Sequence, residues 1–151
     1  MSTRFVIIGG GPAGHTAATH AARLGAQVTL IERDVVGGAA NLWDCIPSKT
    51  MIATGNAITR YRRMEGMGLE QTEATVDVDA LTERVESIKM RLQRSTTNLL
   101  SSQGVDLVRG SARLLSPSEV EITPAEGPTR VVHADAILLA TGSRPRIPDW
   151  C

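Results

Sequence analysis

Arg4-Phe-Val-Ile-Ile-Gly-Gly-Gly-Pro-Ala-Gly14 is the stretch on which the fold turns. Arg4 to Ile8 is a short apolar run closed by glycines, the pattern of a strand buried on both faces. Gly9-Gly-Gly11-Pro-Ala-Gly14 then has the spacing G-x-G-x-x-G. In that spacing the first glycine permits the turn, the second lets backbone approach a pyrophosphate, and the third allows close packing of helix on strand. From Pro12 to about Leu24 small alanines predominate, with Pro12 suited to a first helical turn and Gly25 to a C-terminal cap. Gln27-Val-Thr-Leu-Ile-Glu32 is the next strand. A strand, helix, strand unit crosses over right-handed in nearly all cases, so the fold class is α/β with a parallel sheet. Glu32 stands 18 residues after Gly14, where a carboxylate can accept hydrogen bonds from ribose hydroxyls. Together these features point to an adenine dinucleotide. The acidic residue disfavours an adenosine 2′-phosphate, so this site should not hold NADP.

Further along, Gly37 to Met64 opens with a glycine pair and carries Met51, Ile52, Ile58 and Tyr61 at roughly helical spacing. Pro47 should kink or restart that helix. Glu65 to Val78 reads as a connecting loop with an uncertain short strand. From Asp79, a candidate N-cap, the stripe Leu81, Val85, Ile88, Leu92, Leu99 runs to Gly104 and predicts an amphipathic helix of about six or seven turns whose stripe packs into the core. Val105 to Val108, Glu119 to Thr123 and Arg130 to His133 are separated by Ser-Pro and Pro-Ala-Glu-Gly-Pro turns. They predict a strand of the main sheet followed by a small antiparallel excursion. Asp135-Ala-Ile-Leu-Leu-Ala-Thr-Gly142 reads as another buried strand running into glycine, and the proline-rich ending looks cut rather than capped.

The chain has 151 residues, 42% apolar and 21% charged, which fits a single domain over residues 1–151. Lys plus Arg and Asp plus Glu are 16 each, and the chain has one Phe, one Tyr and two Trp. Neither a positive field nor a stacking platform is available, which argues against a nucleic-acid partner. The apolar run at Phe5 to Ile8 is too short for a signal-peptide core or a transmembrane segment, so a cytoplasmic location is expected. Cys45 and Cys151 cannot form a disulfide scaffold, and Cys151 reads as incidental. His15, His20 and His133 show no ligand pairing, so no metal site is expected. Arg60, Arg62 and Arg63 read as a solvated face.

Gly37-Gly-Ala-Ala-Asn-Leu-Trp-Asp-Cys45-Ile-Pro-Ser-Lys49-Thr resembles the active-site segment of the pyridine nucleotide-disulfide oxidoreductases, where a glycine pair leads into Cys-x4-Cys and then Pro-Ser-Lys. Ala140-Thr-Gly142-Ser-Arg-Pro-Arg-Ile-Pro resembles the segment where that family's chain leaves its FAD domain. With Gly9 to Gly14, Glu32 and Gly110-Ser-Ala112, the matches span nearly the whole chain in order. The resemblance implies a Rossmann-like FAD/NAD(P)-binding fold, FAD as the cofactor on the first strand, helix, strand unit, and NAD(P)H as co-substrate on a domain outside this chain. It implies cofactor contacts at Gly9, Gly11, Pro12, Ala13, Gly14, Glu32, Arg33, Gly38, Ala39, Lys49, Ala112, Ala140, Thr141, Gly142 and Ser143. Within that set the glycine loop and helix start would hold the pyrophosphate, Glu32 the ribose, and the backbone near Ala112 the adenine. His15 stands where the family often has Tyr, so it lines the cofactor pocket or lies on the surface.

One departure matters. The position of the family's first redox cysteine is Ala40, leaving Cys45 alone, and a thiol-disulfide relay needs two sulfurs. Asp44 and Trp43 also replace small or apolar residues. This combination looks most like the actinobacterial NAD(P)H dehydrogenase (quinone) branch, which lacks the redox disulfide. The implied activity is electron transfer from NAD(P)H through FAD to a quinone-type acceptor, with Cys45 and Lys49 as the catalytic candidates. Cys45 would contact or tune the flavin, and Lys49, four residues on and so on the same face if the turn is helical, would stabilise negative charge on the reduced ring. The alternatives are a dihydrolipoyl dehydrogenase-like enzyme and a non-catalytic FAD-binding fragment. A homodimer is expected of the full-length protein. The nicotinamide and dimerisation domains are expected to lie outside this chain, which alone should show no turnover.

Overall fold

In the computed structural model, which describes residues 2–68, 73–144 and 146–150, the N-terminal apolar run forms β1 (Arg4–Ile8). After it come α1 (Pro12–Arg23), β2 (Gln27–Glu32), α2 (Cys45–Arg62) and α3 (Val78–Ser102). The chain continues through β3 (Asp106–Ser116), β4 (Glu119–Pro124), β5 (Arg130–His133) and β6 (Ala136–Leu139). One six-stranded sheet has the order β5-β4-β3-β2-β1-β6. β1 pairs in parallel with both β2 and β6, and β2 with β3, while β4 pairs antiparallel with β3 and β5. Both the α/β class and the antiparallel excursion are as the sequence implies.

Period-two side-chain alternation sorts the core into two layers. Ile7, Val28 and Leu30 point to the helix side and pack with Ala18, Leu100 and Val105. Val6, Ile8 and Ile31 point the other way and pack with Val120, Ile122 and Ala134. The antiparallel excursion therefore supplies the second cover of the parallel sheet. Ala18 is fully buried, and its small side chain lets α1 lie close to the strands.

β3 is longer than the expected run from Val105 to Val108. Its first part, Asp106 to Arg109, pairs with β2, and from Gly110 onward it pairs with β4. A Cβ at Gly110 would lie 2.3 Å from the Thr123 carbonyl oxygen, so the two strands close there only because that side chain is missing.

Three local expectations are corrected. α3 is capped by Asp77 rather than Asp79: the Asp77 carboxylate accepts the Ala80 N–H at 2.9 Å, and Asp79 falls in the first turn, where its charge suits the helix dipole. The buried residue of the last turns is Leu100, whereas Leu99 is 46% exposed and Leu92 is also exposed. The heptad-like stripe drifts around the helix because 3.6 residues per turn do not divide seven. β6 is the edge of the sheet, so with one strand beside it Leu139 remains exposed. Residues 69–72, within the stretch read as a loop with a short strand, and Cys151 lie outside the described residues; positions 73–77 have no regular structure.

The chain reaches α2 through a π-helical turn, Ala40–Asp44. The α-helical register restarts at Cys45, in accord with the effect expected of Pro47. A proline ring collides with the carbonyl four residues back in an α-helix, here Trp43, and the wider turn relieves that collision.

β6 is fixed to β1 at their starts. Asp135 N–H donates to the Arg4 carbonyl at 2.9 Å, and Arg4 N–H donates to Asp135 Oδ2 at 2.8 Å. The Arg4 guanidinium grips the same carboxylate at 2.9 Å and 3.3 Å. The Arg4 side-chain hydrogen bonds hold the Asp135 carboxyl at about 2, below its ordinary 3.8. Because the folded value is the lower one, this stabilisation is complete above the ordinary value and fades as pH falls from 3.8 toward about 2. Asp135→Asn should therefore lower the urea midpoint at pH 6 and have a much smaller effect at pH 2. Equal losses at both pH values would exclude the ion pair as the cause.

Candidate functional site

The carboxyl ends of β2, β1 and β6 lie side by side, and the segments leaving them meet. The carboxyl ends of the strands of a parallel sheet are where such folds accept ligands. Gly9, at a φ of 107° that favours glycine, starts the turn after β1. Its N–H donates to the Ile31 carbonyl at 2.8 Å, and a Cβ on it would lie 2.2 Å from the Ala140 carbonyl oxygen. Gly14 presses α1 onto that turn, since a Cβ there would fall 1.8 Å from the Gly9 carbonyl oxygen.

Gly11 is different. Its backbone, φ −67° and ψ −173°, suits any residue, and a Cβ would meet nothing nearer than Gly38 Cα at 4.0 Å. A side chain at Gly11 would thus find room in ordinary contact with Gly38. Gly38 comes in from the segment after β2: its own Cβ would stand 2.7 Å from Gly11 Cα and 3.6 Å from Pro12 Cδ. The Gly37 N–H ties that segment to the loop by donating to the Gly10 carbonyl at 2.9 Å.

The start of α1 carries no capping side chain and no acidic residue in its first turn. The helical ladder begins with His15 N–H donating to the Gly11 carbonyl at 3.0 Å. The Ala13 and Gly14 amides lie ahead of it, at the positive end of the helix dipole. Uncapped helix-terminal amides behind a tight glycine turn fit the phosphates of a dinucleotide.

Glu32 ends β2 as expected, but its carboxylate is engaged by protein. Oε2 accepts the Gly10 N–H at 2.6 Å and Oε1 accepts the Asp34 N–H at 2.7 Å. A carboxylate has about four acceptor positions, so two remain for a ribose. Arg33 is exposed, its Nε 3.8 Å from Asp34 Oδ2. Ala112 sits on β3 beyond Arg109, the residue opposite Glu32. β2 has ended there, so that side of β3 has no strand beside it, while the Ala112 methyl packs on the second core layer.

The structure thus gathers Gly9, Gly11, Pro12, Ala13, Gly14, Glu32, Gly38 and Ala140 around one crevice, with Ala39 following Gly38. Thr141, Gly142 and Ser143 continue from β6 as exposed irregular chain. Cys45 and Lys49 stand one turn from each other at the start of α2, both exposed. Among the described residues neither side chain makes a hydrogen bond or ion pair. The His15 Nδ1 atom is buried without a hydrogen-bond partner. A cavity of about 490 Å³ lined by Ala53, Asn56, Ala57, Arg60, Tyr61 and Met64 lies along α2 and includes none of the expected site residues.

Sequence reasoning missed Gly10, Asp34 and Arg144. Gly10 is an unspecified position of the glycine motif, and its role comes from Glu32. Arg144 forms an ion pair with Asp34 across 110 residues of sequence, a separation that leaves no local signal.

The pyridine nucleotide-disulphide oxidoreductase family matches residues 3–150. The chain belongs to this family. Its members are FAD-dependent oxidoreductases with NAD(P)H as co-substrate. The chain is 38% identical, over 158 residues covering 97% of it, to a protein of Mycobacterium tuberculosis named NAD(P)H dehydrogenase (quinone). It is 37% identical over 95% of its length to dihydrolipoyl dehydrogenase 2 of Haloarcula marismortui. The crystal structure of LpdA from Mycobacterium tuberculosis superposes with a TM-score of 0.84 at 36% identity, covering 97% of this chain and 33% of that one. The chain spans 32% of the length of the quinone-named relative and 30% of the Haloarcula protein. Among the described residues no helix is long and apolar enough to cross a membrane.

The geometry of the two glycines separates their roles. Gly14→Ala should unfold the chain or cost about 3 kcal/mol or more, because backbone cannot yield to a 1.8 Å contact. Gly11→Ala should stay within about 1 kcal/mol of the parent, the lost cap preference offsetting the reduced unfolded-state freedom. Thermal denaturation of both variants checks this, and a large loss for Gly11→Ala would contradict it.

Proposed function

We propose that this chain is the FAD-holding part of an oxidoreductase that moves electrons from NAD(P)H to a quinone-type acceptor. The observation that carries the cofactor assignment is the start of α1, uncapped and without an acidic residue, directly behind the tight turn at Gly9 to Gly14. In this reading Gly9, Gly11, Pro12, Ala13 and Gly14 bind the pyrophosphate. Glu32, with two acceptor positions remaining, and Arg33 meet the ribose, while Gly38 and Ala39 border the phosphates. The backbone near Ala112 meets the adenine, and Ala140 to Ser143 lie along the cofactor. When bound, FAD supplies two-electron chemistry between a nicotinamide and the acceptor, while the protein supplies position and electrostatics.

The acceptor class rests on the sulfur count. The Cys45 N–H donates to the Ala40 carbonyl through the π-helical turn, so the two positions of the family's redox pair are neighbours in space. Ala40 has no sulfur, and Cys45 is a free thiol. A disulfide relay cannot be formed between these two positions, which favours direct delivery of electrons to a quinone. The 38% identity to a protein named NAD(P)H dehydrogenase (quinone) supports the same choice. Lys49 places an ammonium one turn from Cys45 and would stabilise negative charge on the reduced ring; Cys45 would contact the ring without relaying electrons. The second reading, a dihydrolipoyl dehydrogenase, is favoured by the names of other relatives at 30–37% identity. It requires Cys45 to act without a partner. Dihydrolipoamide and a quinone compared as substrates of the full-length protein separate the two readings.

Flavin released on denaturation, measured per mole of protein, tests the cofactor assignment. A ratio near one for the parent and near zero for folded Gly11→Ala is expected; equal retention by both would overturn the assignment. The isolated chain should not oxidise NAD(P)H with a quinone faster than free FAD does. Steady turnover above that background would overturn the view that further domains are required.

A further inference from the structure

We propose that Arg144, Asp34 and Glu32 form a clamp that sets the glycine turn, so that Arg144 is a positioning residue for the cofactor cradle. The inference rests on the FAD reading for its effect on binding; the clamp itself is a property of the protein.

The Glu32 carboxylate bridges the Gly10 and Asp34 amides at 2.6 Å and 2.7 Å. Gly10 is buried, and a Cβ there would stand 3.1 Å from Glu32 Cβ. The carboxylate therefore fixes both the position of the turn and the peptide between its first two glycines. Asp34, whose amide Glu32 holds, pairs through its own carboxylate with the Arg144 guanidinium. Arg144 belongs to the segment leaving β6, and Asp34 to the segment leaving β2.

In the sheet β1 lies between those two strands, a span of about 10 Å at the usual strand spacing. A long side chain is needed to cross it, and the crossing joins the two segments that flank the glycine turn. The ring closes at its base, where Gly9 lies against the Ala140 carbonyl, four residues before Arg144. Gly10, Glu32, Asp34, Arg144 and Ala140 thus surround the turn that faces the cofactor.

The Arg144 and Asp34 side chains are 63% and 42% exposed, so their pair adds little to global stability. A loop is different, because its opening free energy is far smaller than that of the whole fold. A weak bond can shift that local equilibrium several-fold while moving the melting temperature by only about 1–3 °C. The segment after β6 thereby reports its position to the cradle.

The test uses Arg144→Gln, Asp34→Asn, the double variant and Arg144→Lys. Amide exchange at Gly10 in the flavin-free chain and FAD affinity by flavin fluorescence are both measured. Each single variant should speed Gly10 exchange about threefold and lower the melting temperature by no more than about 3 °C, while FAD binding weakens by the factor by which the closed fraction of the turn falls. The double variant should match Asp34→Asn, because that substitution already removes the Arg144 pair together with the longer Arg33 contact. Arg144→Lys should recover part of the effect, and 1 M salt, where the Debye length is about 3 Å, should bring the parent toward the variants. Additive effects, or Gly10 exchange that none of the variants alters, would overturn the clamp. A parent that holds no FAD while its Gly10 exchange responds would support the clamp and sink the FAD reading. A parent that holds FAD with unmoved exchange would do the reverse.

Discussion

A Cβ at residue 14 would lie 1.8 Å from the Gly9 carbonyl oxygen, and one at residue 9 would lie 2.2 Å from the carbonyl oxygen of Ala140. These two backbone approaches place α1, the end of β1 and the exit of β6 against one another with no side chain between them. Much else follows from that closeness. The small residue Ala18 is fully buried because α1 has been drawn down onto the strands. The amides at the start of α1 face the crevice because the turn leading into the helix is so short. Gly11 is packed less tightly: a Cβ there would meet Gly38 Cα only at 4.0 Å, an ordinary contact.

The sheet needs two covers, and the chain supplies them by different means. Helices α1 and α3 bury one face through Ala18 and Leu100. The other face is covered by Val120, Ile122 and Ala134, carried by or next to the antiparallel strands. β3 serves both arrangements, pairing with β2 and then with β4, and the close strand contact at Gly110 makes the change possible. Beyond Arg109 its β2-facing edge has no strand beside it, at the end of the sheet where the crevice lies. The exposed edge at β6 and the Arg4–Asp135 grip at its base show that this strand is held mainly from one side.

At the carboxyl ends of the parallel strands the protein's own contacts set the backbone. Glu32 orients backbone amides, Gly37 joins its segment to Gly10, and Arg144 reaches Asp34 across the width of two strand spacings. The electron-transfer side is simpler. Ala40 and Cys45 remain neighbours through the π-helical turn, but one sulfur cannot carry a disulfide cycle.

The strand, helix, strand unit was legible because each signal in it is local: an apolar run, a fixed glycine spacing, an alanine-rich helix and a carboxylate at a strand end. The glycine pair before Cys45 and the restart at Pro47 were legible for the same reason. The cap of α3 was misread by two residues because Asp77 and Asp79 are equally good capping side chains and tertiary placement of the first turn chose between them. Leu99 and Leu100 could not be separated by periodicity, since either continues an apolar stripe within half a turn. The full length of β3 was hidden by its change of partners at Gly110. By itself, the sequence determined the α/β class, the glycine turn after β1 and the single cysteine between Gly37 and Thr50, all properties of residues close together in the chain. Only the tertiary structure decided what Glu32 holds, where Arg144 reaches and which face of β3 stays open, because those contacts join residues that fold, rather than sequence, makes neighbours.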